Sequence, residues 1–344
     1  MGAVRRGPGR TRPRRVVLAS LALLTVAGGL AGCSASDDDG GSAQPPARPP
    51  SSGAASSAPT SAGARPGGDA GDPGAGASDL AKAAEDLARA SGGPTSDIAP
   101  RDGEVLGGDM SWPQCPVGTG IPQKQGKGLP YPLPDAEYVV LGLTNGPGFT
   151  PNPCLADQVQ WAKTNQVLVA AYSVSSFPSA AQLEEFGGDG PYDATDRLDR
   201  LRNVGYQQAR FNIATMGRVG LVSPIVWIDI EPVPLFEWSS DLRANAAVIE
   251  GVARGYVDAG FDIGVYSTPA LYRRVVGGLR LGGVPEWRAA GQTSREEARR
   301  RCGDDWSIQG GRAVMGQWVE QQRDRNLTCP GIAADLGRYF HRFK

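Results

Sequence analysis

Two carboxylates with one residue between them, Asp229 and Glu231, close the short apolar run from Pro224 to Glu231 (P-I-V-W-I-D-I-E). In a strand, side chains alternate between faces, so both acids point the same way, with Cα atoms about 6.5–7 Å apart. A carboxyl pair on one face at the end of a buried strand is what hydrolysis of a glycosidic bond uses, one group protonating the leaving oxygen while the other assists at the sugar carbon. The competing reading is a strand end whose acids face solvent or pair with arginines, because Asp-x-Glu is a common tripeptide. Other chemistries lack their residues. The sole histidine, His341, lies three residues from the end, which leaves no Ser–His–Asp or Cys–His arrangement. The glycine pairs at 277–278 and 282–283 have no following Lys-Ser/Thr for a phosphate loop. No cofactor is implied.

These acids need a scaffold, and the pattern after residue 103 supplies one. Strands are expected at Val105–Ser111, Glu137–Thr144, Val167–Val174, Ile225–Glu231 and Asp262–Thr268. Weaker strand signals fall at Glu286–Ala290, Val314–Val319 and Gly331–Leu336. Helices are expected at Leu155–Asn165, Ala194–Met216, Ala244–Ala259 and Ala270–Val276. Apolar, β-branched strands alternating with helices predict a parallel sheet covered by helices. The fold class is therefore α/β, a TIM-like (β/α) barrel over residues 103–344, with the open doubly wound sheet as the alternative. In such a barrel the active site lies at the carboxyl ends of the strands. That rim would collect Asp109 from the first strand, Asp229 and Glu231 from a central one, and Asp335 from the last.

The chain ahead of the barrel has a different composition. Residues 1–32 carry six arginines and no acid, and continue through an apolar run, Val16–Leu30, to Leu30-Ala31-Gly32-Cys33. A basic stretch, a short apolar run and small residues describe an export signal. The Leu-Ala-Gly-Cys ending resembles a bacterial lipobox, which implies lipidation at Cys33 and anchorage at the outer face of the cytoplasmic membrane; an ordinary signal leaving Cys33 as a free thiol is the alternative. Residues 33–102 form a Ser/Ala/Gly/Pro-rich stalk, too poor in large apolar residues to fold, with a possible short helix at 78–91. Removing the leader leaves 29 basic residues against 36 acidic, a net charge of −7. That sign argues against nucleic acid as a partner. The four cysteines beyond Cys33 are expected to pair as Cys115–Cys154 and Cys302–Cys329, each pair falling within one end of the folded region. No Cys-x2-Cys spacing and a single histidine argue against a metal site.

A family resemblance then runs through the barrel in order. Gly107-Gly108-Asp109-Met110-Ser111 is similar to the Gly-x-Asp-x-Ser opening of the glycoside hydrolase family 25 muramidases, and Pro224–Glu231 resembles their strand ending in Asp-x-Glu. Gly264-Val265-Tyr266-Ser267 is similar to a later Gly-x-Tyr-Ser strand, and Pro285-Glu286-Trp287-Arg288-Ala289 to Pro-x-Trp-x-Ala. Gly316-Gln317-Trp318 stands where the family has a Gln-Tyr or Gln-Trp pair, and Ala334-Asp335-Leu336 where its final Val-Asp-Leu lies.

The resemblance implies cleavage of the β-1,4 bond after N-acetylmuramic acid in peptidoglycan. It implies Glu231 as general acid, Asp229 as the group that stabilises the oxocarbenium-like centre or orients the N-acetyl group, and Asp109 and Asp335 as positioning acids. Tyr172, Tyr266, Trp287, Trp318, Asn145 and Gln317 would bind the substrate. There are departures: Thr144-Asn145-Gly146 stands where the family often has an acid before the glycine, and Tyr172-Ser173 where Tyr-His is frequent. The connection from Ser176 to Leu221 is also longer than usual. Two alternatives remain, a catalytically inactive barrel that binds wall glycan as a tether or sensor, and a glycosidase for another surface polysaccharide.

Overall fold

The computed structural model describes residues 98–344, Pro147 excepted. The leader, Cys33, the expected helix at 78–91 and the stalk as far as residue 97 lie outside the described residues; the last stalk residues, 98–102, lie against the barrel, with Ile98 buried in the core and the Arg101 amide donating to the Ala333 carbonyl. Among those described, no helix is long and apolar enough to cross a membrane.

Eight strands close into a barrel. In chain order they are β1 (Leu106–Met110), β4 (Tyr138–Gly142), β5 (Leu168–Val174), β6 (Ile225–Asp229), β7 (Asp262–Ser267), β8 (Glu286–Ala289), β9 (Ala313–Glu320) and β10 (Arg323–Thr328). The numbers between belong to a small hairpin, β2 (Gly120–Ile121) and β3 (Lys124–Gln125). Seven barrel strands run parallel, from β1 and β4 through to β9. The eighth, β10, pairs antiparallel with both β9 and β1 and closes the ring. The expected eight-stranded barrel is thus present, with one strand reversed.

The strand at Gly331–Leu336 is not. Residues Ala333–Arg338 form a 3₁₀ turn, and the closing strand is the polar segment Arg-Asp-Arg-Asn-Leu-Thr just before it. A two-residue turn, Gln321-Gln322, joins β9 to β10 with both φ angles positive, 52° and 60°. Such turns usually announce themselves with Asn-Gly or Asp-Gly, so neither the turn nor the strand stands out in the sequence.

The helices are α1 (Leu155–Thr164), α2 (Ala180–Phe186), α3 (Arg197–Val219), α4 (Leu242–Asp258), α5 (Pro269–Val276) and α6 (Arg295–Arg300). All but α1 begin at a side-chain cap; Asp196 accepts from the Leu198 and Asp199 amides, Asp241 from Arg243 and Ala244, and Thr268 from Leu271. Each cap satisfies backbone donors that have no partner within the helix. α3 ends where Gly220 takes φ 64°, a left-handed conformation suited to glycine.

Strand alternation divides the core in two. Val139, Leu141, Val169, Ala171, Val226, Ile228 and Val265 face outward and pack with helical residues such as Ile213, Ile249, Val252 and Tyr272. Tyr138, Val140, Leu168, Ala170, Ile225, Trp227 and Trp287 belong to a second cluster that fills the barrel. The interior holds rings that need room. A Cβ at Gly264 would lie 2.4 Å from the Trp227 ring, and one at Gly107 equally close to Tyr138. Beneath the barrel, Leu336, Tyr339 and Phe340 join the first residues of β4, β5 and β6, with the Tyr138 and Phe340 rings 4.4 Å apart. Both disulfides join the cysteines expected: Cys115 to Cys154, and Cys302 to Cys329.

Candidate active site

Since Ile225 and Trp227 face the interior while Val226 and Ile228 face the helices, the alternation carries Asp229 inward, and Glu231 two residues on. Both line a cleft of about 260 Å³ at the carboxyl ends of the parallel strands, together with Asp109, Tyr172, Tyr266, Trp287 and Gln317. Seven of the ten residues expected in catalysis or substrate binding therefore meet in one place.

Three do not. Asp335 sits in the 3₁₀ turn beneath the barrel, on an exposed position at the opposite end. Trp318 faces outward, buried with Ala298 and Leu327 under α6; Gln317 points inward, and neighbours on a strand cannot share a face. Asn145 is fully buried and spends its amide on the hairpin, accepting from the Ile121 amide (3.2 Å) and donating to the Lys124 carbonyl (3.0 Å).

The fourth acid of the cleft is Asp324. It is the second residue of β10, and because that strand runs against the others, its amino end arrives at the rim where they end. Asp324 pairs in register with Asp109, so the two side chains emerge on the same face. Trp112 and Lys124 also line the cleft, on a segment inserted between β1 and β4 that roofs it. Asn145 and the Cys115–Cys154 bridge are among the ties that fasten that segment, and Lys124 with it, over the cleft. Nothing local in the sequence marks it.

Asp109 is held by a hydrogen-bond chain. Its Oδ2 accepts from Gln317 Nε2 (2.9 Å) and Asn326 Nδ2 (2.7 Å). Gln317 Oε1 accepts from the Tyr266 hydroxyl (2.7 Å), and Asn326 Oδ1 accepts from Trp287 Nε1 (2.7 Å). An indole nitrogen only donates, which orients the Asn326 amide and directs its N–H groups to Asp109. Asp229 contrasts with this: its Oδ1 is buried without a hydrogen-bond partner.

Electrostatics follow from crowding in a dry site. Burial raises Asp109 well above the ordinary carboxylate range, Asp324 adds to this, and the Gln317 and Asn326 hydrogen bonds oppose it. Asp229 is also raised well above that range, by burial first and then by Glu231 and Asp109. Glu231 is raised by burial, with Lys124 pulling it down and Asp324 pushing it up. Burial takes Asp324 to about 6. Four carboxyls at one rim, all shifted upward, retain protons at pH values where free carboxyls have lost theirs. Among the described residues, no group of three or more His, Cys, Asp or Glu is spaced to hold a metal ion.

No family model matches the chain. A segment of 116 residues is 31% identical to "Probable GH family 25 lysozyme 4" of Dictyostelium discoideum, covering 33% of this chain and 49% of that one. Over that segment the chain is similar to a GH family 25 lysozyme. The chain spans about half the length of the curated relative it matches. Among solved structures, the bacterial lysozyme from Streptomyces coelicolor aligns at TM-score 0.45 and 14% identity, over 70% of this chain and 98% of that one. The muramidase from Acremonium alcalophilum aligns at TM-score 0.41 and 14% identity, over 68% of this chain and 99% of that one.

Proposed function

We propose that the protein hydrolyses the glycan strands of peptidoglycan, cleaving the β-1,4 bond after N-acetylmuramic acid. The observation that carries this reading is the meeting of Asp229, Glu231, Asp109 and Asp324 in one buried, aromatic-walled cleft. Glu231 is the general acid. Its raised proton affinity lets it deliver a proton to the glycosidic oxygen as the bond from that oxygen to the sugar carbon breaks. Asp229, with one oxygen free of protein partners, faces the positive charge that develops on the sugar, or orients the N-acetyl group against it. Water then adds to the anomeric carbon and its proton returns to the cleft. Asp109, fixed by Gln317 and Asn326, and Asp324 position these groups and supply the negative field. Tyr172, Tyr266 and Trp287 form ring surfaces for sugars, the Tyr266 and Trp287 centroids being 4.5 Å apart.

The export signal, a lipid on Cys33 and the stalk would place this cleft outside the membrane and within reach of the wall. Digestion of purified peptidoglycan, followed by mass spectrometry of the released fragments, tests the reading. Wild type should release reducing muramic-acid ends and Glu231→Gln should not. Strands left intact by wild type would refute hydrolysis, and cleavage surviving in Glu231→Gln would refute the acid.

A further inference from the structure

The cleft that gathers four carboxyls also admits one ammonium, that of Lys124. Its strand, β3, is tied down on two sides. Asn145 grips the hairpin backbone at Ile121 and Lys124. The Lys127, Leu129 and Gly128 amides donate to the Pro113 and Cys115 carbonyls, beside the disulfide to Cys154. Lys124 Nζ lies 5.3 Å from the Trp112 ring centre and 5.7 Å from that of Phe236. Asp229 and Glu231 both act on it electrostatically. Yet among the described residues no carboxylate lies within ion-pair distance of it. A lysine ammonium carries three donors and is strongly hydrated when free. Here it is half-buried between two rings, aimed at the cleft and not neutralised by the acids beside it.

We propose that Lys124 is a specificity-determining residue that binds a carboxylate carried on the sugar in the cleft, so that the site selects acidic glycan over neutral glycan. A cleft lined by four acids repels an anionic sugar unless one fixed cation meets it. Rings on either side suit a sugar's apolar faces, and the ammonium suits its acidic substituent. Occupation of Lys124 by that carboxylate also removes the charge that holds down the proton affinity of Glu231, which favours the protonated acid once substrate is bound.

Sugars that carry such a group include muramic acid, on its lactyl ether, and the uronic acids, at C6. The lactyl carboxyl is free only after the peptide stem has been removed, because the stem is joined to it as an amide. On the peptidoglycan reading, on which this inference rests, an amide-cleaving hydrolase must act first to supply the preferred strand.

Binding separates the inference from that reading. Full-length protein carrying Glu231→Gln, so that substrate is not consumed, is titrated calorimetrically with peptide-free glycan strands, with the same strands after reduction of their carboxyls to alcohols, and with oligouronides. The carboxylate strands should bind at least about tenfold more tightly than the reduced ones. Adding Lys124→Gln should bring that ratio close to one, and Lys124→Arg should restore most of it. A ratio unaffected by Lys124→Gln, or equal binding of both strands with Lys124 in place, overturns the inference, as does no binding by any strand. Oligouronides that bind more tightly than the strands, with the same dependence on Lys124, assign the carboxylate to a uronic acid. If wild type cleaves no strand while the preference and its dependence on Lys124 hold, the hydrolase reading falls and the carboxylate site stands.

Discussion

Asp109 and Asp324 stand opposite each other in the antiparallel register of β1 and β10, two acids on one face at the mouth of a closed barrel. Like charges directly opposite destabilise a strand pair, and this pair is buried as well. The arrangement is unfavourable for folding and useful for holding protons, a trade common at active sites.

Replacing Asp324 exposes that trade. Burial raises Asp324 to about 6, while in the unfolded chain it titrates near the ordinary value of about 4. Between about pH 4 and pH 6 the native state holds more protons than the unfolded state, so stability declines as pH rises through that window and then levels off. Asp324→Asn should therefore stabilise the fold by about 2–3 kcal/mol at pH 8 and by almost nothing below about pH 4. Urea denaturation at pH 4, 6 and 8 measures this; a gain independent of pH would contradict it.

Asp229→Asn and Glu231→Gln should separate stability from turnover. Asp229 is buried with an unpartnered oxygen and raised well above the usual range, so at alkaline pH the native state must either bury its charge or hold a proton that the unfolded chain has lost, and asparagine does neither. The expected result is a higher Tm at pH 8, fading toward pH 4, with turnover reduced at least about 100-fold. Glu231→Gln should lose turnover to a similar degree with a smaller gain in Tm, since Lys124 already offsets part of its charge. A thermal shift assay beside the muropeptide digest reads both.

Asn326 is the junction of the network, with Trp287 on one side and Asp109 on the other. Asn326→Leu leaves a buried indole N–H and a carboxylate oxygen each short of one partner, which should lower stability by about 1–3 kcal/mol per group. Loss of a hydrogen bond to its charged form also raises Asp109 further. The acidic limb of the pH–rate profile should then move to higher pH. An unmoved limb would mean that Asp109 does not need its charge for turnover.

How much of this was legible in the chain depended on locality. Asp229 and Glu231 were readable because the alternation of Ile225, Trp227 and Asp229 runs through a single strand. Asp109, Tyr266 and Trp287 were readable for the same reason. The motif Gly316-Gln317-Trp318 points Trp318 to the cleft, but alternation beside Gln317 excludes it. Asp335 falls within the segment Gly331–Leu336 that the sequence pattern offers as the last strand, and that segment forms no strand. The true final strand is polar, turns on two glutamines and runs backward, so Asp324 carried no local signal. Lys124 was out of reach for another reason: its position depends on Asn145 and on a disulfide spanning 39 residues.

The roof can be released by removing that disulfide. Closing a loop of 39 residues restricts the unfolded chain by about 4 kcal/mol in the chain-entropy account. The double replacement Cys115→Ser with Cys154→Ser should lower stability by up to about that amount. It should also loosen Trp112 and Lys124 over the cleft while leaving Asp109, Asp229 and Asp324 on their strands. Hydrogen exchange should therefore quicken in residues 112–129 far more than in β6 or β10. Equal quickening in all three would show that the bridge supports the whole barrel and not its roof.

Glu286 and Arg288 offer a test of the scaffold away from the cleft. They flank Trp287 on β8, so alternation turns both away from the interior and toward the loop that follows α6. Glu286 accepts from the Ile308, Gln309 and Gly311 amides, each at 2.8 Å, and pairs with Arg288 at 2.7 Å. Arg288 donates to the Arg301, Gly303 and Gly311 carbonyls. Both side chains are almost fully buried, so each bond replaces one that water would make. Glu286→Gln keeps the shape but removes the charge, leaving Arg288 buried without its counterion. Breaking one partner of a buried pair costs about 3–5 kcal/mol, more than the pair contributes relative to apolar residues of the same size. Arg288→Met should lose comparable stability, and the double variant Glu286→Gln with Arg288→Met less than the sum of the two. A double-mutant cycle by chemical denaturation measures the coupling; strict additivity would mean that the backbone amides alone hold Glu286 and that the ion pair contributes nothing to positioning Trp287.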